Sequence, residues 1–275
     1  MVGKNKVGVA VKYILAILFA LMFLFPVFVL FNTALKPFAE VSITKMWILP
    51  TTISFDGFRE AFIKLSGNFK NSFLLVIPVC TLSIMLGAIC GFIFSKIKFK
   101  YSNIIFALFI FGMFIPYQSI LIPLVQTLRR MGIYGSIGGL VFTHTVYGLP
   151  ISTLMFRNYY AEVPDELIEA GVIDGLTIWG SFRQLMVPLS IPSVIVVLIW
   201  QFTSVWNDFL FAVIITQDSA IQPITVALQN LAGSQVVEWN IQMAGAIIAA
   251  LPPLIVYMFF GKYFVQGLMA GSVKG

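Results

Sequence analysis

The stretch YILAILFALMFLFPVFVLFN at residues 13–32 contains no charged side chain and consists almost entirely of large apolar residues. A helix of ~20 such residues is long enough to cross ~30 Å of hydrocarbon. The run is longer than the ~7–15-residue apolar region of a signal peptide, and it has no clear small-x-small cleavage site. We therefore interpret it as an uncleaved membrane anchor.

Five further stretches repeat this pattern along the 275-residue chain, which is 59% hydrophobic and only 10% charged. About a quarter of the residues in a soluble domain are charged, so this composition is typical of a membrane protein. Gly87 and Gly91 have the spacing that lets membrane helices pack closely. We predict an all-α membrane protein with one domain over residues 1–275. Its six transmembrane helices are expected near 13–32, 72–94, 103–124, 137–156, 191–215 and 241–263.

The positions of lysine and arginine predict the orientation in the membrane. Lys4, Lys6 and Lys12 precede the first helix and place the N-terminus in the cytoplasm, and six crossings return the C-terminus to that side. Ten of the 17 Lys and Arg residues then lie inside and seven outside. Arg129 and Arg130, in a short outer loop, oppose this bias. No concentrated basic strip indicates nucleic-acid binding.

An acidic stretch, PDELIEAGVIDG at 164–175, lies in the predicted inner loop at 157–190. Pro164 suits the first turn of a helix, whose positive end favours the acidic residues that follow. Asp174–Gly175 is a turn signal, and Thr177 can cap a second helix. The pattern therefore predicts a helix–turn–helix in this loop.

Two interpretations of this helix–turn–helix stay open on physical grounds. It is either a solvated connector or a docking element. Ala170 and Gly171 form a thin apolar patch beside Glu169, which is more than a connector requires. Such a patch favours docking into a groove of another protein that offers a cation.

Several motifs, taken in order, resemble those of ABC importer permeases of the maltose-type carbohydrate uptake family. EAGVIDG at 169–175, followed by FRQLMVPLSIP at 182–192, is similar to their cytoplasmic loop motif, with Gly171 where the family usually has a second alanine. Further stretches resemble the second of the two permease subunits: NSFLL at 71–75, MFIPYQSILIPL at 113–124, WNDFL at 206–210 and VQGLMAGSVKG at 265–275.

The resemblance implies the type I importer permease fold, with a cytoplasmic coupling helix seated in the cleft of an ATPase subunit. The residues that it assigns to ATPase coupling are Glu169, Ala170, Gly171, Asp174 and Gly175. The residues that it assigns to an ATPase-contacting tail are Gly267, Gly271 and Lys274.

The resemblance also implies partners: a homologous second permease subunit, two ABC ATPase subunits and an extracytoplasmic sugar-binding protein, in the cytoplasmic membrane of a prokaryote. The sequence contains no GxxxxGK[ST] phosphate loop. We therefore expect ATP and Mg to be bound by the ATPase subunits. In this chain we expect no catalytic residue, no cofactor and no metal site.

A saccharide pathway needs polar groups that match hydroxyls, together with flat aromatic faces. The candidates are Tyr117, Gln118, Gln201, Ser204, Trp206, Asn207 and Asp208. Gln201, Ser204 and Asp208 are spaced three and four apart, which predicts one polar stripe on a helix. Alternatively, Trp206 belongs to the interfacial aromatic belt and Asp208 lies among the headgroups. The single histidine, His144, is interpreted as a packing or hydrogen-bonding residue.

Two other classes of protein fit the sequence less well. An intramembrane serine protease needs the order Gly-x-Ser-Gly, whereas residues 135–139 read GSIGG. An ion-coupled secondary transporter usually keeps acids in mid-membrane and shows internal repeats, and neither is seen in the sequence. Within the favoured class the substrate is an oligosaccharide, a monosaccharide, or glycerol phosphate or another polyol. The lack of Arg and Lys in the spans weighs against an anion.

Overall fold

A computed structural model describes the backbone of residues 6–233 and 237–270 and the side chains of residues 8–42, 44–233 and 237–263. Within these ranges the chain forms helices and no strand, which confirms the all-α prediction. The α-helices are α1 (Lys6–Ala34), α2 (Asp56–Lys96), α3 (Ser102–Phe111), α4 (Leu121–Arg130), α5 (Ile137–Glu162), α6 (Asp165–Ile173), α7 (Ile178–Ser181), α8 (Val187–Leu189), α9 (Ile191–Trp206), α10 (Leu210–Ile215), α11 (Ile224–Ala232) and α12 (Trp239–Ala270). The remaining helical turns are 3-10 turns at Phe38–Glu40, Ile43–Lys45, Gly112–Phe114 and Tyr117–Ile120, and a π-turn at Phe182–Met186.

Four helices are each long and apolar enough to cross a membrane, and they confirm four of the predicted spans. They are Gly8–Ala34, Asp56–Lys96, Ile137–Glu162 and Trp239–Tyr263. Each is longer than the apolar run that predicts it, because helical backbone continues into the polar flanks. α2 is the extreme case: it begins at Asp56, whose N–H donates to the Ser54 hydroxyl, well before the predicted start at residue 72.

The predicted helix at 103–124 is not one straight span. The segments Ser102–Phe114 and Tyr117–Arg130 meet at an angle of 91°. Pro116 explains the break, because proline has no N–H to continue the helical ladder and disfavours helical backbone at the residue before it. Ile115 is accordingly extended, with φ −72° and ψ 120°.

The predicted helix at 191–215 is also interrupted. α9 ends at Trp206 and α10 begins at Leu210. Between them the Asp208 carboxylate accepts the N–H of Ala212 at 3.1 Å, so a side chain replaces backbone carbonyls as the acceptor and starts a new helix. A second bend, of 72°, separates Ile178–Leu189 from Ile191–Trp206. Six segments can cross a membrane if each bent pair forms one span.

The described chain divides into two compact units. The first contains Met1–Ser66 and Leu228–Ala250, and the second contains Gly67–Ala227 and Leu251–Gly275. Neither unit is a single continuous piece of chain that could be separated as its own domain. The expectation of one domain over residues 1–275 therefore stays a prediction.

In the first unit, two polar side chains at the end of α1 hold the loop that follows. The Asn32 amide donates to the carbonyls of Met46 and Ile48, at 2.6 and 2.8 Å. The Lys36 ammonium, whose residue is 2% exposed, donates to the Lys45 carbonyl at 2.6 Å. These bonds satisfy buried polar groups and order residues 45–48 beside the helix end.

The second unit is organised around close contact between α2 and α5. A Cβ on Gly87 would lie 2.8 Å from the Cβ of Ser152, and one on Gly91 would lie 2.6 Å from the Cβ of Phe156. The glycines therefore allow the approach that their spacing predicts. Because the two contacts advance in the same direction along both helices, α2 and α5 run parallel.

Candidate functional site

The acidic stretch forms the predicted helix–turn–helix. α6 ends before Asp174–Gly175, where Gly175 has φ +90°, a left-handed conformation that favours glycine. The Thr177 hydroxyl then accepts the N–H of Gly180 at 3.0 Å and caps α7. These features confirm the helix, the turn and the second cap.

The residues predicted to couple to an ATPase are divided between the surface and the interior of this loop. Glu169, Ala170, Asp174 and Gly175 are exposed. Gly171 is buried, and a Cβ there would lie 2.9 Å from Leu185 Cδ1 and 3.2 Å from Ser181 Oγ. The expectation that Gly171 lies against a partner's groove is therefore wrong, because its own chain already fills that space.

An apolar surface is exposed beside Glu169. Val172 is 49% exposed, Ile173 85% and Trp179 50%. We call this set, with its neighbours, the loop surface; it consists of Glu169, Ala170, Val172, Ile173, Ile178 and Trp179. A groove of about 540 Å³ adjoins it, lined by Thr177, Trp179, Gly180, Arg183 and Gln184. If the loop lies outside the membrane, as its position predicts, large apolar side chains exposed together indicate a contact with another molecule.

A second feature is a cavity of about 210 Å³ between α5 and α9, with walls that are more apolar than polar. Its lining residues are Met113, His144, Tyr147, Gly148, Ile151, Trp200, Gln201, Ser204 and Val205. His144 is 7% exposed, and its Nε2 has no hydrogen-bond partner among the described residues. Asp208 Oδ2 lies 3.5 Å from this nitrogen. Trp200, at 44% exposed, offers a flat aromatic face.

The structure brings together some of the predicted pathway residues. Gln201 and Ser204 line the cavity, and Asp208 lies behind His144. The Tyr117 ring contacts that of Tyr147, with centroids 6.2 Å apart. The predicted stripe does not continue as a helix to Asp208, since α9 ends at Trp206.

Three other pathway candidates do not line the cavity. Trp206 is 2% exposed and stacks on Phe202, with ring centroids 5.6 Å apart, so it belongs to neither an exposed aromatic belt nor the cavity wall. The Asn207 amide donates back to the Thr203 carbonyl at 2.9 Å. Gln118 is exposed.

Sequence reasoning did not place His144 and Tyr147 in the pathway. A signal was available, because His144, Gly148 and Ile151 are spaced four and three apart and so share a face of α5. The packing or hydrogen-bonding role expected for His144 agrees with its burial and with the Asp208 carboxylate 3.5 Å from its Nε2, and the residue also lines the cavity.

The tail residues cannot be placed in the same way. Gly267 falls within α12, in the part for which only backbone is described. Gly271 and Lys274 lie outside the described residues. Within the described part of the chain, no three His, Cys, Asp or Glu side chains form a group that could hold a metal ion.

Comparison with known proteins gives consistent matches over nearly the whole chain. A probable ABC transporter permease protein of Pyrococcus horikoshii is 44% identical over 266 residues, which cover 96% of each chain. The xylose/arabinose import permease protein of Haloferax volcanii is 33% identical over 280 residues, covering 94% of this chain and 91% of its own.

A solved structure shares the fold. It is a chain of a bacterial ABC transporter involved in the import of the acidic polysaccharide alginate, with a TM-score of 0.83 at 18% identity, covering 96% of this chain and 99% of that one. The family described as binding-protein-dependent transport system inner membrane component matches residues 83–269. The chain therefore belongs to this family, the inner-membrane permease components of ABC importers.

Proposed function

We propose that this chain is one of the two permease subunits of an ABC importer that moves a saccharide, in particular an oligosaccharide, across the cytoplasmic membrane. The observation that carries the proposal is the loop surface, because an exposed apolar set beside a carboxylate fits a partner that supplies a groove and a cation. The import of xylose and arabinose by a relative of 33% identity supports a saccharide, and the arabinooligosaccharides transport permease of Bacillus subtilis, 30% identical, supports an oligosaccharide.

In this proposal the loop surface docks on an ABC ATPase subunit, and the complex contains two such subunits. Removing the exposed part of Ile173 from water on docking stabilises the complex, at roughly 25 cal/mol per Å² of apolar surface. Glu169 would pair with a cation at the rim of the groove, which sets the orientation of the docked helix. ATP and Mg would be bound by the ATPase subunits.

The remaining partners are a homologous second permease subunit and an extracytoplasmic sugar-binding protein. The family description, which names binding-protein dependence, supports the latter. The excess of Lys and Arg on one side of the spans supports cytoplasmic N- and C-termini.

The cavity between α5 and α9 is the part of this chain that we assign to the sugar pathway. Trp200 supplies an apolar face for a pyranose ring, and the Ser204 hydroxyl supplies a hydrogen-bonding group for a sugar hydroxyl. No Lys or Arg lines the cavity, and the Asp208 carboxylate lies beside it. This charge pattern favours a neutral saccharide over glycerol phosphate or another anion.

Reconstitution of the complex tests the proposal. The chain is coexpressed with a homologous second permease and an ABC ATPase from the same organism, placed in proteoliposomes, and supplied with a binding protein loaded with labelled oligosaccharide. We expect uptake only with internal ATP and with all subunits present. Uptake driven by a proton or sodium gradient without ATP would contradict the proposal and favour a secondary transporter.

A further inference from the structure

Near their C-terminal ends, α2 and α5 are joined by two cationic side chains, one from each helix, that donate to backbone carbonyls at or just beyond the end of the other helix. Lys96, the last residue of α2, donates through Nζ to the Val163 carbonyl, which follows α5, and to Asp165 Oδ1 at 2.6 Å. Its side chain is only 5% exposed. In the opposite direction, Arg157 of α5 donates through Nε to the Phe94 carbonyl of α2 at 3.3 Å. Each helix therefore supplies a donor to a carbonyl near the end of the other.

Helix electrostatics explain why both residues are cations. A helix carries a partial negative charge at its C-terminus, where its last carbonyls have no partner within the helix. Because α2 and α5 run parallel, these two negative ends lie side by side. Lys96 and Arg157 offset the repulsion between them, and the Arg157 guanidinium is further held 4.2 Å from the Phe106 ring centroid.

Packing prevents the two helices from sliding past each other. The contacts of Gly87 with Ser152 and of Gly91 with Phe156 leave no room for a Cβ. Closer to the helix ends, Phe92 is fully buried and contacts the Tyr160 ring, with centroids 6.3 Å apart. The pair therefore behaves as a single rigid element.

Lys96 extends this rigid element to α6. Only Val163 and Pro164 separate α5 from α6, and Lys96 bonds to one residue on each side of Pro164. The hydrogen bond and charge of Lys96 hold the pKa of the Asp165 carboxyl below its usual value, so this acceptor is ionised at neutral pH. Ile168 of α6 also packs against the buried cluster that contains Phe92 of α2 and Phe156 of α5, so the bonds of Lys96 add a directional polar link to an apolar contact.

We propose that Lys96 is a positioning residue that clamps α2 to α6, so that a movement of α6 is passed to α2 and α5 together. The proposal rests on the proposed docking of the loop surface on an ATPase subunit. It goes beyond that docking by naming the route along which the movement enters the membrane helices. Arg157 joins α5 to α2 beside this clamp, through its hydrogen bond to the Phe94 carbonyl.

The first test compares Lys96→Met with Lys96→Arg in the reconstituted complex. Lys96→Met keeps the length of the side chain and removes the donor, and Lys100→Met, at an exposed lysine outside the clamp, is the matched control. We expect Lys96→Met to assemble and hydrolyse ATP but to import about tenfold less sugar per ATP. We expect Lys96→Arg to restore part of the loss, and Lys100→Met to match the wild type.

A second variant guards against a folding defect. Asp165→Ala removes an exposed carboxylate, while Lys96 keeps its hydrogen bond to the Val163 carbonyl. This variant should therefore fold and show a smaller loss of sugar import per ATP than Lys96→Met. Wild-type uptake per ATP in both Lys96→Met and Asp165→Ala would overturn the clamp. Absence of ATP-dependent uptake in the wild-type complex would instead overturn the proposed function.

A distance measurement separates positioning from simple stabilisation. Spin labels are placed through Met85→Cys on α2 and Glu166→Cys on α6, after Cys80 and Cys90 have been replaced by alanine. We expect the distance between the labels to stay the same in nucleotide-free and ATP-bound complexes of the wild type. In Lys96→Met it should change between the two states. An unchanged distance in Lys96→Met would overturn the proposal.

Discussion

The side-chain amide of Gln201 occupies the space beside Gly148 where any other residue would carry its Cβ. From this position Nε2 donates to the Ser83 hydroxyl at 2.8 Å. One hydrogen bond therefore joins α9 to α2 across a glycine of α5. The bond also explains how an amide that is only 2% exposed is tolerated, since it gives a buried polar group its partner.

Gly148→Ala should destabilise the protein. The new methyl group would displace the Gln201 amide and break its bond to Ser83, leaving buried polar atoms unsatisfied at a cost of about 1–3 kcal/mol. Thermal unfolding of the detergent-purified complex measures the effect. Gly67→Ala is the control, because nothing lies within 4 Å of a Cβ there. Equal melting temperatures for the two variants would show that Gln201 does not need the space.

Ile173→Ser and Glu169→Ala should weaken ATPase association without unfolding the permease. Ile173 is 85% exposed, so its contribution is made only when a partner covers it, and full burial of such a side chain stabilises by roughly 1.5–3 kcal/mol. Copurification of the ATPase subunits and sugar-stimulated ATP hydrolysis are the readouts. The matched control is Glu162→Ala, another exposed acid outside the loop surface. Normal association of Ile173→Ser would show that the loop surface remains in water.

Gly171→Leu should act through the fold of the loop. A side chain at this position would overlap Leu185 and Ser181, so α6 and α7 would have to separate. We expect increased proteolysis between residues 164 and 190 in the isolated permease, before any ATPase subunit is added. A wild-type proteolysis pattern together with lost ATPase binding would instead restore the idea that Gly171 meets the partner.

Trp200→Ala should lower sugar uptake while the complex assembles normally. The loss removes the aromatic face of the cavity, and Trp200→Phe should retain most of the activity because it keeps a flat ring. Initial rates of uptake over a range of concentrations of the sugar-loaded binding protein provide the measurement. If Trp200→Ala transports as well as Trp200→Phe, the cavity does not contact the sugar.

The Lys96–Asp165 pair should be insensitive to pH over the physiological range. Lys96 lowers the pKa of the Asp165 carboxyl below its ordinary value of 3.8. The ion pair therefore stabilises the fold above pH 3.8, and this stabilisation is lost as the pH falls through the lowered pKa. The difference in melting temperature between wild type and Asp165→Ala should therefore be constant from about pH 8 to 5 and shrink at lower pH. A difference that shrinks above pH 5 would assign the effect to another group.

Hydrophobicity predicts the spanning helices because it is a local property of the chain. Four of the six predicted spans are continuous helices. The break at Pro116 follows from a residue that is visible in the sequence. The break after Trp206 depends on how the Asp208 carboxylate reaches the N–H of Ala212, and a hydrophobicity profile contains no such information.

The candidate site was less predictable because it depends on which way side chains face. The spacing that predicts a polar stripe assumes one helix through Asp208, and Trp206 is turned toward Phe202 and the interior. The role of Gly171 was equally hard to predict. Its small size is evident from the sequence, but Leu185, the residue that leaves no room for a side chain at this position, lies beyond a turn. Contacts within the loop and contacts with a partner leave the same pattern in the sequence.

The parallel contact of α2 with α5 has a consequence for how the chain is made. α3 and α4 are synthesised between these helices, so α2 enters the membrane before its neighbour exists. Until α5 emerges, Gly87 and Gly91 face lipid, and the Ser83 hydroxyl gains its partner, Gln201, only when α9 follows. A chain interrupted before residue 137 would leave Gly87 and Gly91 uncovered. Synthesis of α5 is thus the step that covers the glycines of α2, and synthesis of α9 is the step that gives Ser83 its partner.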